Sequence, residues 1–314
     1  MRTIAQSTAA ELGARLEAPG LALDLGAATM IVRSSSAALA RQILAVYPGF
    51  PEASPPDFAD IHIRLDPPST WRRLVRPQVM LHCDGDHPFH PFPDNTALPL
   101  MEWGTNWLIG QRLHHLLLFH AGCLERDGLG LLLPATPGAG KSTLTAALAH
   151  RGWRLLSDEF GVCDPSSGTL LAMLKPIALK NESIAVIRHF APAAVIGPEF
   201  PKTRKGTVAH VAATEDAVRR RSETAQPAVV ILPRWSAGHT TTLEPLGEEA
   251  VFRALAFNSF NYEVLGETGF DAVVRITRQC RGWSLEYSDL DDAVNTLEAR
   301  WVEMTSHSPA AVTE

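Results

Sequence analysis

Residues 120–159 read HAGCLERDGLGLLLPATPGAGKSTLTAALAHRGWRLLSDE, and this stretch decides the fold. At its centre ATPGAGKST, residues 135–143, fits the phosphate-loop pattern with Ala135 at the first glycine position. Gly138 and Gly140 let backbone N–H groups turn inward around an anion. Lys141 reaches the β- and γ-phosphates, and the Ser142 hydroxyl can ligate Mg²⁺. Ala135, Thr136, Pro137, Ala139 and Thr143 complete the candidate ATP cradle, Pro137 by stiffening the loop and Thr143 by packing in the first helical turn. The helix that starts here adds the positive end of its dipole.

Working outward, HAGCLE and LGLLLP read as two short strands around a turn at Asp127 and Gly128. KSTLTAALAHRG places Leu144, Ala147, Leu148 and Arg151 three or four apart and stops at Gly152, a residue suited to end a helix. WRLLSDE is a further strand. Strand, loop, helix, strand predicts an α/β core with the phosphate site at the carboxyl ends of its strands. Farther on, PAVVILPRW reads as a buried strand and LDDAVNTLEARWVEM as a terminal amphipathic helix.

Asp158 and Glu159 stand 17 and 18 residues beyond Lys141, where a parallel strand would deliver them beside the γ-phosphate. Two carboxylates there can divide the work, one holding Mg²⁺ and the other taking the proton of an attacking hydroxyl. In motor-like ATPases and GTPases the metal-binding acid lies much farther along the chain, so the short spacing favours a phosphotransferase. The residues alone do not assign the two roles. His120, 21 residues before Lys141, begins the preceding strand, and taken alone it reads equally well as a packing residue.

The 314 residues carry 46% hydrophobic and 20% charged side chains, the composition of a globular protein. Lys plus Arg number 28 against 34 Asp plus Glu, a net charge of −6, which lacks the positive excess that a nucleic-acid backbone requires. Cys83, Cys123, Cys163 and Cys280 form no CxxC pair, which speaks for a reducing, cytoplasmic setting without a disulfide framework. The first residues, MRTIAQSTAAELGARL, have no apolar run of the secretory kind, and no stretch approaches a membrane span.

Before residue 116 the texture differs. Proline clusters separate short alternating segments such as DIHIRL and PQVMLHC, and WGTNWLIGQRLHHLLL (103–118) has helical spacing that links this region to the core. Residues 1–115 are expected to form a smaller strand-containing α+β domain serving acceptor recognition. A catalytic domain over 116–303 and a flexible tail over 304–314 follow.

The run from His120 to Glu159 resembles the bacterial HPr kinase/phosphorylases, and more closely the HprK-related kinase A group. In that family a histidine begins a strand, a turn and second strand lead into GxSGxGKS, and a helix ending in Arg-Gly precedes a strand closed by two acids. The resemblance implies a phosphoenolpyruvate carboxykinase-like P-loop core that uses ATP and Mg²⁺. Glu159 occupies the position of the acid that deprotonates the acceptor serine, a position usually held by Asp, so Asp158 and Glu159 both stand as the base. His120 matches the histidine paired with that acid.

By the same resemblance PIALKNESI makes Glu182 a second metal ligand beside Ser142 and Asp158, with Lys180 and Asn181 as phosphate or substrate contacts. TRKGTVAH, carrying Arg204, Lys205 and His210, looks like a motif of the related kinases, and its basic pair could clamp transition-state charge. HPr kinases assemble as homo-oligomers and also run the reverse phosphorolysis. The expected activity is a serine kinase acting on a protein or peptide. A small-molecule or carboxykinase-like phosphotransferase and a nucleotide-sensing interaction module are the alternatives.

Overall fold

In the strand Ile61–Asp66, IHIRLD, the alternation of apolar and polar residues buries Ile61, Ile63 and Leu65 and turns His62 and Arg64 outward. It lies in the middle of a five-stranded sheet ordered Leu21–Asp24, Thr29–Ser34, Ile61–Asp66, Gln78–His82, Phe92–Pro93. Only the Thr29–Ser34 and Ile61–Asp66 pair is parallel. Helices Ala9–Glu17 and Ala37–Val46, each started by a hydroxyl cap at Thr8 or Ser36, pack with it. The computed structural model describes residues 2–136 and 138–306.

The helix predicted over 103–118 runs instead from Ala97 to Arg112, and Leu117–Phe119 form a strand. The apolar run that looked helical is a buried strand at its end, since Leu117, Leu118 and Phe119 are all inaccessible. Gly104 lets this helix press against the sheet, because a side chain there would collide with Leu81.

The second half is built on a six-stranded sheet ordered Thr242–Leu246, Arg281–Tyr287, Gln226–Trp235, Leu129–Pro134, Ala121–Arg126, Arg154–Ser157. The three central strands are parallel, and both of the last two pairs are antiparallel. Arg154–Ser157 therefore runs in the direction of the phosphate-loop strand without pairing to it, because the hairpin strand Ala121–Arg126 lies between them. LGLLLP and PAVVILP are continuously apolar since helices cover both faces. Lys141–His150 and Leu290–Thr305 pack on one side, and Glu248–Phe257 and Glu267–Gln279 on the other.

Two three-stranded sheets complete the chain. One joins Leu117–Phe119, Gly161–Cys163 and Leu170–Leu171, and the other Ile177–Lys180, Gly206–Val211 and Phe200–Thr203. The last helix continues through Thr305, two residues into the expected tail, and the rest of that expectation lies outside the described residues from 307 onward. All four cysteines are buried and free. Among the described residues, no helix is long and apolar enough to cross a membrane.

Candidate phosphoryl-transfer site

The phosphate loop leaves the carboxyl end of Leu129–Pro134 and enters the helix Lys141–His150. Gly138 and Gly140 have φ of 93° and 90°, a region costly for any residue with a Cβ. At Gly140 a Cβ would also stand 2.7 Å from Tyr287 Oη. Ala139 ties the loop down: its N–H donates to Thr136 O at 3.3 Å, and its carbonyl accepts from Trp235 N–H at 3.1 Å. Ala135 is buried beneath the loop. Pro137 lies outside the described residues.

Thr136, Gly138, Gly140, Lys141, Ser142 and Thr143 line a cavity of about 550 Å³ together with His120, Glu159, Lys180, Ser183 and Lys205. Part of the predicted set, the loop residues with His120, Glu159, Lys180 and Lys205, thus lines one space. Lys141 is buried. Its ammonium donates to the backbone carbonyl of Asp158 and lies 3.7 Å from Asp158 Oδ1. That Oδ1 is itself buried without a hydrogen-bond partner.

Glu159 lines the cavity, and its Oε1 lies 3.7 Å from His120 Nε2. Burial pushes the Glu159 carboxyl upward, but Lys141, His120, Lys175 and Lys180 outweigh it and hold the group below the usual carboxylate range. The His120 imidazole is lowered from its ordinary value by burial and by Lys141, against the pull of Glu159 and Asp158. A neutral histidine beside an ionised glutamate is the resulting state near pH 7. The His120 backbone N–H donates to Asn258 O at 2.5 Å, and the Phe260 ring centre lies 5.5 Å from that of the imidazole.

Lys180 is lowered by burial and by Lys205, so two ammonium groups are held close at the cavity wall. Arg204 lines an adjoining small cavity on the N-terminal side. Asn181 lines neither space. Its N–H donates to Thr207 O at 2.9 Å, its Oδ1 accepts from Thr207 N–H at 3.1 Å, and it thereby anchors the turn bearing Arg204 and Lys205. Glu182 opens the helix Glu182–Phe190 and lines a neighbouring cavity, of about 620 Å³, that shares Gly138, Gly140, Thr143 and Ser183 with the first.

For Mg²⁺, the fitting donors are the Ser142 hydroxyl and the orphaned Asp158 Oδ1, both oxygens of the kind a hard cation takes. The cavity that holds Glu182 also contains Gly138, Gly140, Thr143, Val186, Phe190, Trp235 and Tyr287. Trp235 is half exposed there, with its indole N–H donating to Ser288 O at 3.1 Å. Its place at the carboxyl end of a parallel strand, where α/β sheets bind ligands, was the available sequence signal. Trp103 and Glu102 on the N-terminal side had none, since their helix read as a linker.

No protein-family model matches the chain. Among curated proteins, the tRNA modification GTPase MnmE of Mesorhizobium japonicum is 33% identical over 98 residues, covering 29% of this chain and 21% of that protein. The MnmE proteins of Rhizobium etli and Chelativorans sp. are 32% and 31% identical over the same shares. The chain thus spans about a fifth of the length of these relatives. Among solved structures, the Hpr(Ser) kinase/phosphatase from Coxiella burnetii overlaps 59% of this chain and 98% of its own at 12% identity. The TM-score is 0.24, too low to carry an argument.

Proposed function

We propose that the protein is an ATP- and Mg²⁺-dependent phosphotransferase that moves the γ-phosphate to a hydroxyl, a serine of a protein or peptide. The observation that supports it most is the shared cavity: a phosphate-loop lysine and an ionised carboxylate face the same space, with Lys180 and Lys205 on its wall. The loop N–H groups and Lys141 hold the phosphates. Bound Mg²⁺ would supply charge neutralisation between the β- and γ-phosphates, held by Ser142 and Asp158. Glu159, exposed to the cavity where Asp158 is buried behind Lys141, takes the proton of the incoming hydroxyl. His120, neutral and in contact with Glu159, orients that carboxylate without cancelling its charge. Lys180 and Lys205 offset charge on the transferring group. The nucleoside half extends into the second cavity, against Trp235 and Phe190.

The test is transfer of label from γ-labelled ATP, with Mg²⁺, to candidate proteins and peptides, followed by mass spectrometry of the phosphosite. Wild type should label serine and Lys141→Ala should neither bind ATP nor transfer. A chain indifferent to ATP with magnesium, or one that labels only a metabolite, would overturn the reading.

A further inference from the structure

The small cavity on the N-terminal side has a volume of about 100 Å³ and shares Glu159, Ala178, Lys180 and Lys205 with the phosphate cavity. Beyond that common wall it is bounded by Phe92, Pro99 and Trp103 from the first half of the chain, and by Val208 and His210 from the hairpin of the second. Its floor is ordered. Lys175 donates to Glu102 Oε2 at 3.1 Å and to Asn106 Oδ1, while Tyr47 Oη donates to Glu102 Oε1 at 2.5 Å. The Arg204 guanidinium, 5.7 Å from the Trp103 ring centre, closes one edge.

His210 closes this wall: it is 2% exposed, and its Nδ1, which has no hydrogen-bond partner, is itself inaccessible.

Resting on the kinase reading, we propose that this cavity is the acceptor subsite and that its ligand is a peptide. The serine hydroxyl sits at Glu159, where the two cavities meet. The side chain of an adjoining residue, small and apolar, fills the space between Phe92, Trp103 and Val208. The lining argues for the occupant: Phe92, Pro99, Trp103 and Val208 present apolar surface beside the charged wall at Glu159, which suits an apolar side chain next to a reacting hydroxyl. The surface outside it continues the argument: Trp107, one helical turn from Trp103, is 40% exposed with its edge toward Phe89, an apolar patch that a chain leaving the cavity would cover. In the transfer, the seryl oxygen bonds to the γ-phosphorus as the bond from that phosphorus to the β,γ-bridging oxygen breaks. ADP leaves, and the seryl proton ends on Glu159.

The experiment uses the full-length protein, Mg²⁺, γ-labelled ATP and a peptide array with a fixed central serine and each neighbour varied in turn. Wild type should favour Ala, Val or Thr at one adjoining position, with label at least tenfold lower for Trp or a charged residue there. Val208→Phe, which fills the cavity, should raise the KM for a preferred peptide at least tenfold while ATP affinity by titration calorimetry changes less than twofold. Trp103→Ala, which enlarges it, should extend the preference to Leu and Phe. Equal labelling whatever the neighbour, or unchanged preference in both variants, overturns the subsite. If wild type binds ATP but labels no peptide, the peptide subsite falls and the nucleotide site stands. If it does not bind ATP, both readings fall.

Discussion

Glu159 sits in a place that pulls its carboxyl in two directions, desolvation favouring the neutral acid and nearby basic groups, Lys141 foremost with His120, Lys175 and Lys180, favouring the anion, and the basic groups prevail. An anion that faces the cavity can accept a proton at pH 7. Glu159→Gln keeps the shape and removes that capacity, so kcat should fall by about 10²–10⁴ while ATP affinity stays within twofold. Asp158→Asn should behave differently, because Asp158 touches Lys141 and offers the spare oxygen for Mg²⁺: ATP affinity itself should weaken, and raised Mg²⁺ should partly restore it. Single-turnover transfer together with equilibrium ATP binding separates the two. Equal loss of binding in both variants would show that the carboxylates are not divided between base and metal ligand. The residues alone left that division open, because two adjacent acids at a strand end look alike until one is seen to be buried.

At the scale of the element, the hairpin, loop, helix and following strand were legible from residues 120–159, since each announces itself locally: a turn at Asp127 and Gly128, glycines where φ must be positive, and a helix that stops at Arg151 and Gly152. Pairing was not legible. Antiparallel insertion of Ala121–Arg126 between two co-directional strands depends on contacts distant in sequence, and so does the buried ion pair it carries. Glu125 and Arg154, both almost inaccessible, are joined directly across these neighbouring strands, and Arg154 also donates to the carbonyls of Arg220 and Glu223 at 3.0 Å. Glu125→Ala would leave a buried guanidinium without its counter-charge, and should cost about 3–5 kcal/mol in urea denaturation. Glu125→Leu combined with Arg154→Met should recover a large part of that loss. A double variant no more stable than Glu125→Ala would mean that the pair contributes chiefly through the carbonyl contacts of Arg154.

On the scale of the whole molecule, the two halves share one continuous buried core that runs from Ile4 to Met304. Leu174 N–H donates to Leu25 O, and Ala27 N–H to Ala172 O, both at 2.7 Å, so backbone hydrogen bonds cross between them as well. The sequence showed a change of texture near residue 116 but not this union, because the joining side chains, Glu102 and Lys175, lie 73 positions apart and look like ordinary surface charges. His210 packs beside that pair, and burial lowers its imidazole to about 4, with Glu102 raising it and Lys175 lowering it further. The unfolded chain takes up the proton near pH 6.5, whereas the native protein refuses it until about pH 4. Stability from this residue is therefore complete above pH 6.5 and declines as pH falls through that window. Between pH 6.5 and 5 the loss should be about 2 kcal/mol, at 1.36 kcal/mol per pH unit. His120 and His150 are lowered too and add slope in the same direction, so the comparison must be with His210→Gln. Urea midpoints at pH 7, 6 and 5 should fall less steeply in the variant, by roughly that amount. Parallel slopes would show that His210 is protonated in the native protein well above pH 5, and that water reaches the junction where the two halves meet.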